Sequence, residues 1–208
     1  MTCIILVRHG ETDWNREEHS RGRVDVPLNK TGLLQAEATS RRIAAEWHPS
    51  AVYASPLLRS LRTAEVIAQY FDLTMQAHAG LTDIDFGQWQ GLTPLEVRKR
   101  WPKVADVWHH APQRAQIPGG EMLREVSARA LEAVYEMSAR HAGQTLVMVS
   151  HTVVNRVILL AVLGLGIERF RRLQQGTCTV NVFEAEGDHF TLVSLNETYH
   201  LCCEAIPE

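Results

Sequence analysis

The stretch Ile4-Ile5-Leu6-Val7-Arg8-His9-Gly10-Glu11-Thr12 sets the fold class. Four consecutive apolar residues, three of them β-branched, show neither polar alternation nor a helical stripe. That is the pattern of a strand buried on both faces. Gly10 permits a sharp turn where the strand ends. An arginine and a histidine therefore arrive together beyond the carboxyl end of a buried strand, where open α/β sheets bind ligands. His9 reads as a nucleophile and Arg8 as an anion clamp.

The chain has 208 residues, enough for one α/β domain with a sizeable core. Its 21 Lys and Arg against 24 Asp and Glu leave a net charge of −3. No broad positive field is available for nucleic acid or an anionic membrane, although a local basic pocket is compatible with that balance. Met1-Thr2-Cys3 leads directly into a strand without a basic n-region followed by an apolar h-region, and no apolar run approaches bilayer length. The four cysteines, Cys3, Cys178, Cys202 and Cys203, form no CxxC pair. They read as reduced, structural thiols of a cytoplasmic protein, with no role assigned to the adjacent pair.

After the first strand, residues 11–30 read as a long polar loop carrying Arg16, Arg21 and Arg23. Thr31 can cap a helix to about Trp47, with Leu34, Ala38 and Ile43 facing the core. Ala51–Ala54 is a short strand. Ser55-Pro56 can open a helix to about Phe71, with Leu57, Leu61, Ala64 and Ala68 on its inner face. That helix carries Arg59 and Arg62 near its positive end, where acids are normally favoured. Arg59 fits a second anion contact, while Arg62 fits a solvated side chain. Residues 81–91 form a loop with Asp83 and Asp85. Thr93-Pro94-Leu95-Glu96 has capping-box spacing and starts a helix to about His110, followed by a loop to Gly120 and a helix over 121–141. Thr145–Ser150 is a third buried strand that also ends in a histidine, His151. A helix over 153–163 and a hairpin about Glu186-Gly187-Asp188 complete the chain, with Cys178–Phe183 as an edge strand open to pairing in a homodimer. His109, His110 and His141 lack metal-ligand spacing. The pattern specifies a three-layer α/β/α fold around a mostly parallel sheet.

His9, His151, Arg8 and Arg59 in one pocket would suit a phosphoryl group, whose transfer needs charge stabilisation and in-line positioning. A neutral imidazole can take the phosphoryl group and split one hard step into two. One carboxyl, from Asp83 or Asp85, can serve first as acid and then as base. Neither a cofactor nor a metal is expected.

Arg8-His9-Gly10-Glu11-Thr12 with Asn15 resembles the signature of the histidine phosphatase superfamily, in the branch of the cofactor-dependent phosphoglycerate mutases. Pro27-Leu28 with Thr31-Gly32 and Gln35-Ala36, Ser55 to Arg59 with Thr63, the loop Leu81–Gly91, Gly119-Gly120-Glu121 and Ser150-His151 extend the resemblance along nearly the whole chain. It implies a phosphoglycerate mutase-like fold in a single domain, 1–208, with a helical lid over about 92–120. It also implies that His9 becomes a phosphohistidine and that Arg8, Arg59 and His151 bind phosphoryl oxygens. Asn15 would be an additional contact and Asp83 the proton donor; Arg21 of the polar loop and Thr152 are further candidate substrate contacts beside them. The branch more commonly has glutamate at the place of Asp83, and glycine at that of Thr152.

The chain lacks the insertion with which the mutases enclose phosphoglycerate. The expected activity is therefore metal-independent hydrolysis of a small phosphorylated metabolite, with phosphoglycerate mutase and a non-catalytic phospho-ligand binder as alternatives. His200 reads as structural.

Overall fold

A computed structural model of the chain describes residues 1–17 and 19–202. Its six-stranded sheet comprises β1 (Thr2–Arg8), β2 (Ala51–Ala54), β3 (Met75–Ala77), β4 (Thr145–Ser150), β5 (Val180–Glu186) and β6 (His189–Glu197). Their order is β3-β2-β4-β1-β5-β6. The first four in that order run parallel, whereas β5 is antiparallel to β1 and β6 to β5. The helices are α1 (Asp13–Arg16), α2 (Lys30–Ala44), α3 (Leu58–Tyr70), α4 (Pro94–Arg100), α5 (Pro102–His110), α6 (Leu123–Arg140) and α7 (Thr152–Val162).

The apolar run of β1 is explained by two cores. Ile4 and Leu6 join Tyr53 and Met148 against Val134 of α6 and Ile158 of α7. Ile5 and Val7 turn the other way, joining Val52 and Val149 against Ile43 of α2 and Ile67 of α3. Each such fully buried side chain contributes roughly 1.5–3 kcal/mol, so the strand is held from both sides. A third cluster, of Trp89, Val97 and Ile117, packs α4 and α5 beside the 81–91 loop with Phe86, Trp101 and Trp108.

Several local expectations are corrected. The polar loop holds a one-turn helix, α1, and α2 is capped by Asn29 Oδ1, which accepts from Gly32 N at 2.9 Å, instead of by Thr31. Leu34 is 40% exposed, outside the core that Ala38 and Ile43 enter. Helix α3 starts at Leu58, later than Ser55-Pro56: the Ser55 hydroxyl meets His151 Nε2 at 2.8 Å and accepts from Leu57 N at 3.4 Å, and Asp25 Oδ1 accepts from Leu58 N at 2.7 Å. The expected helix to His110 is two helices. Pro102 forces Trp101 out of the α region, to φ −132° and ψ 62°. The three-residue β3 was too short to leave a sequence signal. Cys178–Phe183 is not an edge, since β5 is paired on one side with β1 and on the other with β6. Cys3, Cys178 and Cys202 are free thiols, and Cys203 lies outside the described residues. Among the described residues no helix is long and apolar enough to cross a membrane.

Candidate active site

Parallel pairing of β1 with β4 sets Arg8 opposite Ser150, so the two strands deliver consecutive histidines side by side. His9 N donates to Ser150 O at 3.0 Å, and the imidazole centroids of His9 and His151 are 5.1 Å apart. The turn after His9 is clamped between α2 and α3. Gly10 N donates to Thr63 Oγ1 at 3.0 Å, and Thr63 Oγ1 donates to Arg59 O at 2.7 Å. A Cβ on Gly10 would stand 2.5 Å from Gly32 O, which is why the position takes no side chain.

The two imidazoles are both buried but are held by opposite nitrogens. His9 Nδ1 lies 2.7 Å from Gly10 O. A carbonyl can only accept, so Nδ1 carries the proton and Nε2 keeps its lone pair. His151 Nε2 meets Ser55 Oγ at 2.8 Å and Ser60 Oγ at 3.3 Å, which leaves Nδ1 facing Asp83 Oδ2 at 3.6 Å. Burial, with Arg59 as the next cause, holds both rings well below the ordinary histidine pKa and so in the neutral state near pH 7.

The arginines are held by carbonyls. Arg8 donates to Gln175 O at 2.7 Å, Arg21 to Trp14 O at 3.0 Å. Arg59, fully buried, donates to Gly22 O and Val24 O at 2.8 and 2.9 Å and pairs with Asp83 Oδ2 at 3.1 Å. Burial and the nearby Arg21 push Arg8 down to about 9, still charged near neutrality. Three guanidinium groups thus converge around one carboxyl. Burial raises the Asp83 pKa above the usual carboxylate value, against the pull of Arg59 and Arg21.

Asp83 is also fixed from behind. Arg129 of α6 donates to Gly80 O, Thr82 O and Asp83 O at 2.9, 2.6 and 3.1 Å, and its Nε reaches Glu121 Oε1 at 3.0 Å. Glu121 Oε2 accepts from Asp85 N at 2.9 Å. Gly119-Gly120 lets this segment lie against the acid loop: a Cβ on Gly120 would stand 2.5 Å from Asp85 O.

A cavity of about 230 Å³ opens beside Asp83, lined also by Arg21, Phe86, Trp108, Thr152 and Arg156. Of the residues expected from sequence, Arg21, Asp83 and Thr152 line this cavity, while Arg59 and His151 reach Asp83 directly, with His9 against His151 and Arg8 close enough to feel the Asp83 charge. Asn15 does not join them by any described hydrogen bond; its Oδ1 accepts from Thr12 N and Oγ1 at 2.9 and 2.8 Å. Asp85 caps Gly87 N at 2.8 Å, and Arg62 pairs with Glu65 in solvent. His200 Nε2 lies 3.1 Å from Cys178 O and 3.2 Å from Thr39 Oγ1, contacts within the fold. Ser60, Arg129, Arg156 and Gln175 escaped notice, and Ser55 was misread as a helix cap. Arg156, one turn into the helix that His151 opens, carried the only usable signal.

Residues 4–198 match the model of the histidine phosphatase superfamily (branch 1). The chain belongs to that superfamily. It is 33% identical to phosphoserine phosphatase 1 of Hydrogenobacter thermophilus over 201 residues, 97% of this chain and 95% of that protein. Bacillus stearothermophilus YhfR superposes with a TM-score of 0.92 at 30% identity, covering 97% of this chain and all of that one. A phosphoserine phosphatase from Entamoeba histolytica, solved in complex with 3-phosphoglyceric acid, gives a TM-score of 0.86 at 28% identity, covering 97% and 100%. The sheet is the phosphoglycerate mutase-like α/β/α sheet of these histidine phosphatases, and the chain is a phosphoric monoester hydrolase.

Proposed function

We propose that this chain hydrolyses a small phosphorylated metabolite through a phosphohistidine on His9, without a metal. The observation that carries the reading is the Nδ1–H···O contact of His9 with Gly10, which leaves Nε2 as a neutral nucleophile among cations. Nε2 attacks phosphorus, the P–O ester bond breaks, and Asp83 gives its proton to the departing alkoxide. Water then loses a proton to the Asp83 carboxylate and attacks the phosphorus. The P–N bond breaks, inorganic phosphate leaves, and neutral His9 is restored. Arg8, Arg59 and His151 hold the phosphoryl oxygens, while Arg21 and Thr152 contact the ester. In this reading 1–208 is one domain, α4 and α5 form a lid on the leaving-group side, and the free thiols suit the cytoplasm.

A cavity of about 230 Å³ suits a ligand below drug size, for which sites span roughly 300–1,000 Å³. The relatives support the same scale: one is named for phosphoserine, another holds 3-phosphoglyceric acid, and both ligands are phosphate esters that carry a carboxylate. The test is a rapid alkaline quench during turnover, followed by mass mapping of the His9 peptide. One phosphoryl group on His9, absent in His9→Ala, is expected. Turnover with no label on His9 would overturn the assignment. Isomerisation of 3-phosphoglycerate primed by 2,3-bisphosphoglycerate, with little phosphate released, would replace hydrolysis by mutase chemistry.

A further inference from the structure

The cavity beside Asp83 holds more positive charge than a phosphoryl group needs. Arg8 and Arg59 suffice for a phosphoryl dianion. Beyond them, Arg21, Arg156 of α7 and Arg171 line the cavity wall, where Asp83 is the only acid among the lining residues. Arg156 is half-buried. Its Nε donates to Leu173 O at 2.7 Å and its guanidinium lies 5.1 Å over the Phe170 ring, which leaves both terminal nitrogens without a described partner. Arg171 donates to Trp108 O at 2.6 Å. Neither arginine reaches a carboxylate among the described residues. Each repels its neighbours: Arg171 lowers the pKa of Arg156, and Arg156 that of Arg8, both on top of desolvation. Two neighbouring guanidinium groups that repel one another and have no carboxylate partner of their own gain from an anion placed against both.

Resting on the phosphatase reading above, we infer that Arg156 and Arg171 bind a carboxylate carried on the alcohol side of the ester, so that the substrate is a phosphorylated hydroxy acid. The position fits the chemistry. Both arginines share a small cavity with Asp83, the group that protonates the leaving oxygen, so the second anion lies a few bonds from the ester. A guanidinium pinned through Nε presents its other face in a fixed orientation, as fork-like recognition of a planar carboxylate requires. Phe86 and Trp108 line the same cavity, so one side of the anion would rest on aromatic surface while Arg171 meets it from the exposed rim.

The test compares O-phosphoserine with O-phosphoethanolamine, which differ by the carboxylate alone. The wild-type chain should prefer phosphoserine in kcat/KM by about tenfold or more, the scale of a charge-assisted contact. Arg171→Gln and Arg156→Gln should each remove about tenfold of that preference, chiefly through KM for phosphoserine. Arg156→Lys should restore part of it, which a purely structural role against Phe170 and Leu173 would not require. If Arg156→Gln fails to fold, Arg171→Gln at the exposed rim still decides. Equal losses on both esters, or no wild-type preference while phosphate is released, would overturn the carboxylate site and leave the phosphatase standing. Preference for a bisphosphate over phosphoserine, lost in the same variants, would also overturn it in favour of a second phosphate. Failure to release phosphate from any ester, p-nitrophenyl phosphate included, would instead sink the phosphatase reading itself.

Discussion

His9 and His151 follow the carboxyl ends of adjacent parallel strands, are equally enclosed and feel the same arginines, yet the fold prepares them for different work. The difference lies in which ring nitrogen is occupied. At the end of β1 a backbone carbonyl takes Nδ1 and frees Nε2. At the end of β4 two serine hydroxyls take Nε2, and Nδ1 is turned toward Asp83. A hydroxyl can donate to Nε2, which places the proton on Nδ1 and makes His151 a donor toward the site. The same residue type at the same place in the fold thus becomes a nucleophile in one strand and an oxygen-binding donor in the other, through contacts two or three bonds from the chemistry.

Removing each ring in turn tests that contrast most sharply. His9→Ala should reduce turnover to background, since no other nucleophile replaces Nε2. His151→Ala should lose about 10²–10³-fold, the scale of one lost transition-state donor, and should still label on His9. The measurement is kcat together with the quench for phosphoprotein. Labelling that survives in His9→Ala but vanishes in His151→Ala would reverse the roles.

Asp83 stands between the two rings' functions, and its loss should depend on the leaving group. Asp83→Asn should cost about 10²–10⁴-fold with an alkyl phosphate, the range for general acid catalysis, and far less with p-nitrophenyl phosphate. The pH profile of kcat/KM carries the same assignment. Neutral His9 is required, and its depressed pKa sets an acid limb below the ordinary value of 6.5. Protonated Asp83 is required, and its raised pKa sets an alkaline limb above the ordinary 3.8. The alkaline limb should disappear in Asp83→Asn; its persistence would assign that limb to another group.

A smaller effect should follow from Arg129, which touches no ring but fastens the carbonyls of residues 80, 82 and 83. Arg129→Gln should lower kcat by about tenfold with alkyl phosphates, because a carboxyl misplaced by about an ångström loses efficiency. It should spare p-nitrophenyl phosphate, as Asp83→Asn does. A loss equal on both substrates would reduce Arg129 to a residue of general stability.

Much of this arrangement was legible in the sequence because it is carried by strand ends. An unalternated apolar run followed by Arg8-His9, and another followed by His151, locate two side chains without any tertiary information. What escaped is decided by distant chain. Ser55 reads locally as a helix cap, and nothing near it in sequence reports that its hydroxyl also meets His151, 96 residues away. Asp25 caps α3 from 33 residues away, and no local pattern reports that. Arg129 sits on an ordinary amphipathic helix, and only the packing of α6 against the acid loop gives it a task. The break at Pro102 is readable by the rule that the residue before proline leaves the α region, which the single helix expected from Thr93 to His110 does not take into account.

The two rings should also be visible in stability, where they act alike. In the unfolded chain each histidine takes up a proton near the ordinary 6.5, while in the fold both stay neutral to well below it. As pH falls through 6.5 the unfolded state therefore binds more protons, and stability drops by about 1.4 kcal/mol per pH unit for each buried ring. Asp83 works in the opposite direction, because its raised pKa lets the folded state take a proton first as pH falls. His200, also depressed by burial, adds to the histidine slope without belonging to the site. Melting temperature followed from pH 7.5 down to 5.5 should fall, and His9→Gln should flatten that fall by one ring's share. An unchanged slope in the variant would mean that His9 is charged in the fold, and a charged imidazole has no lone pair for phosphorus.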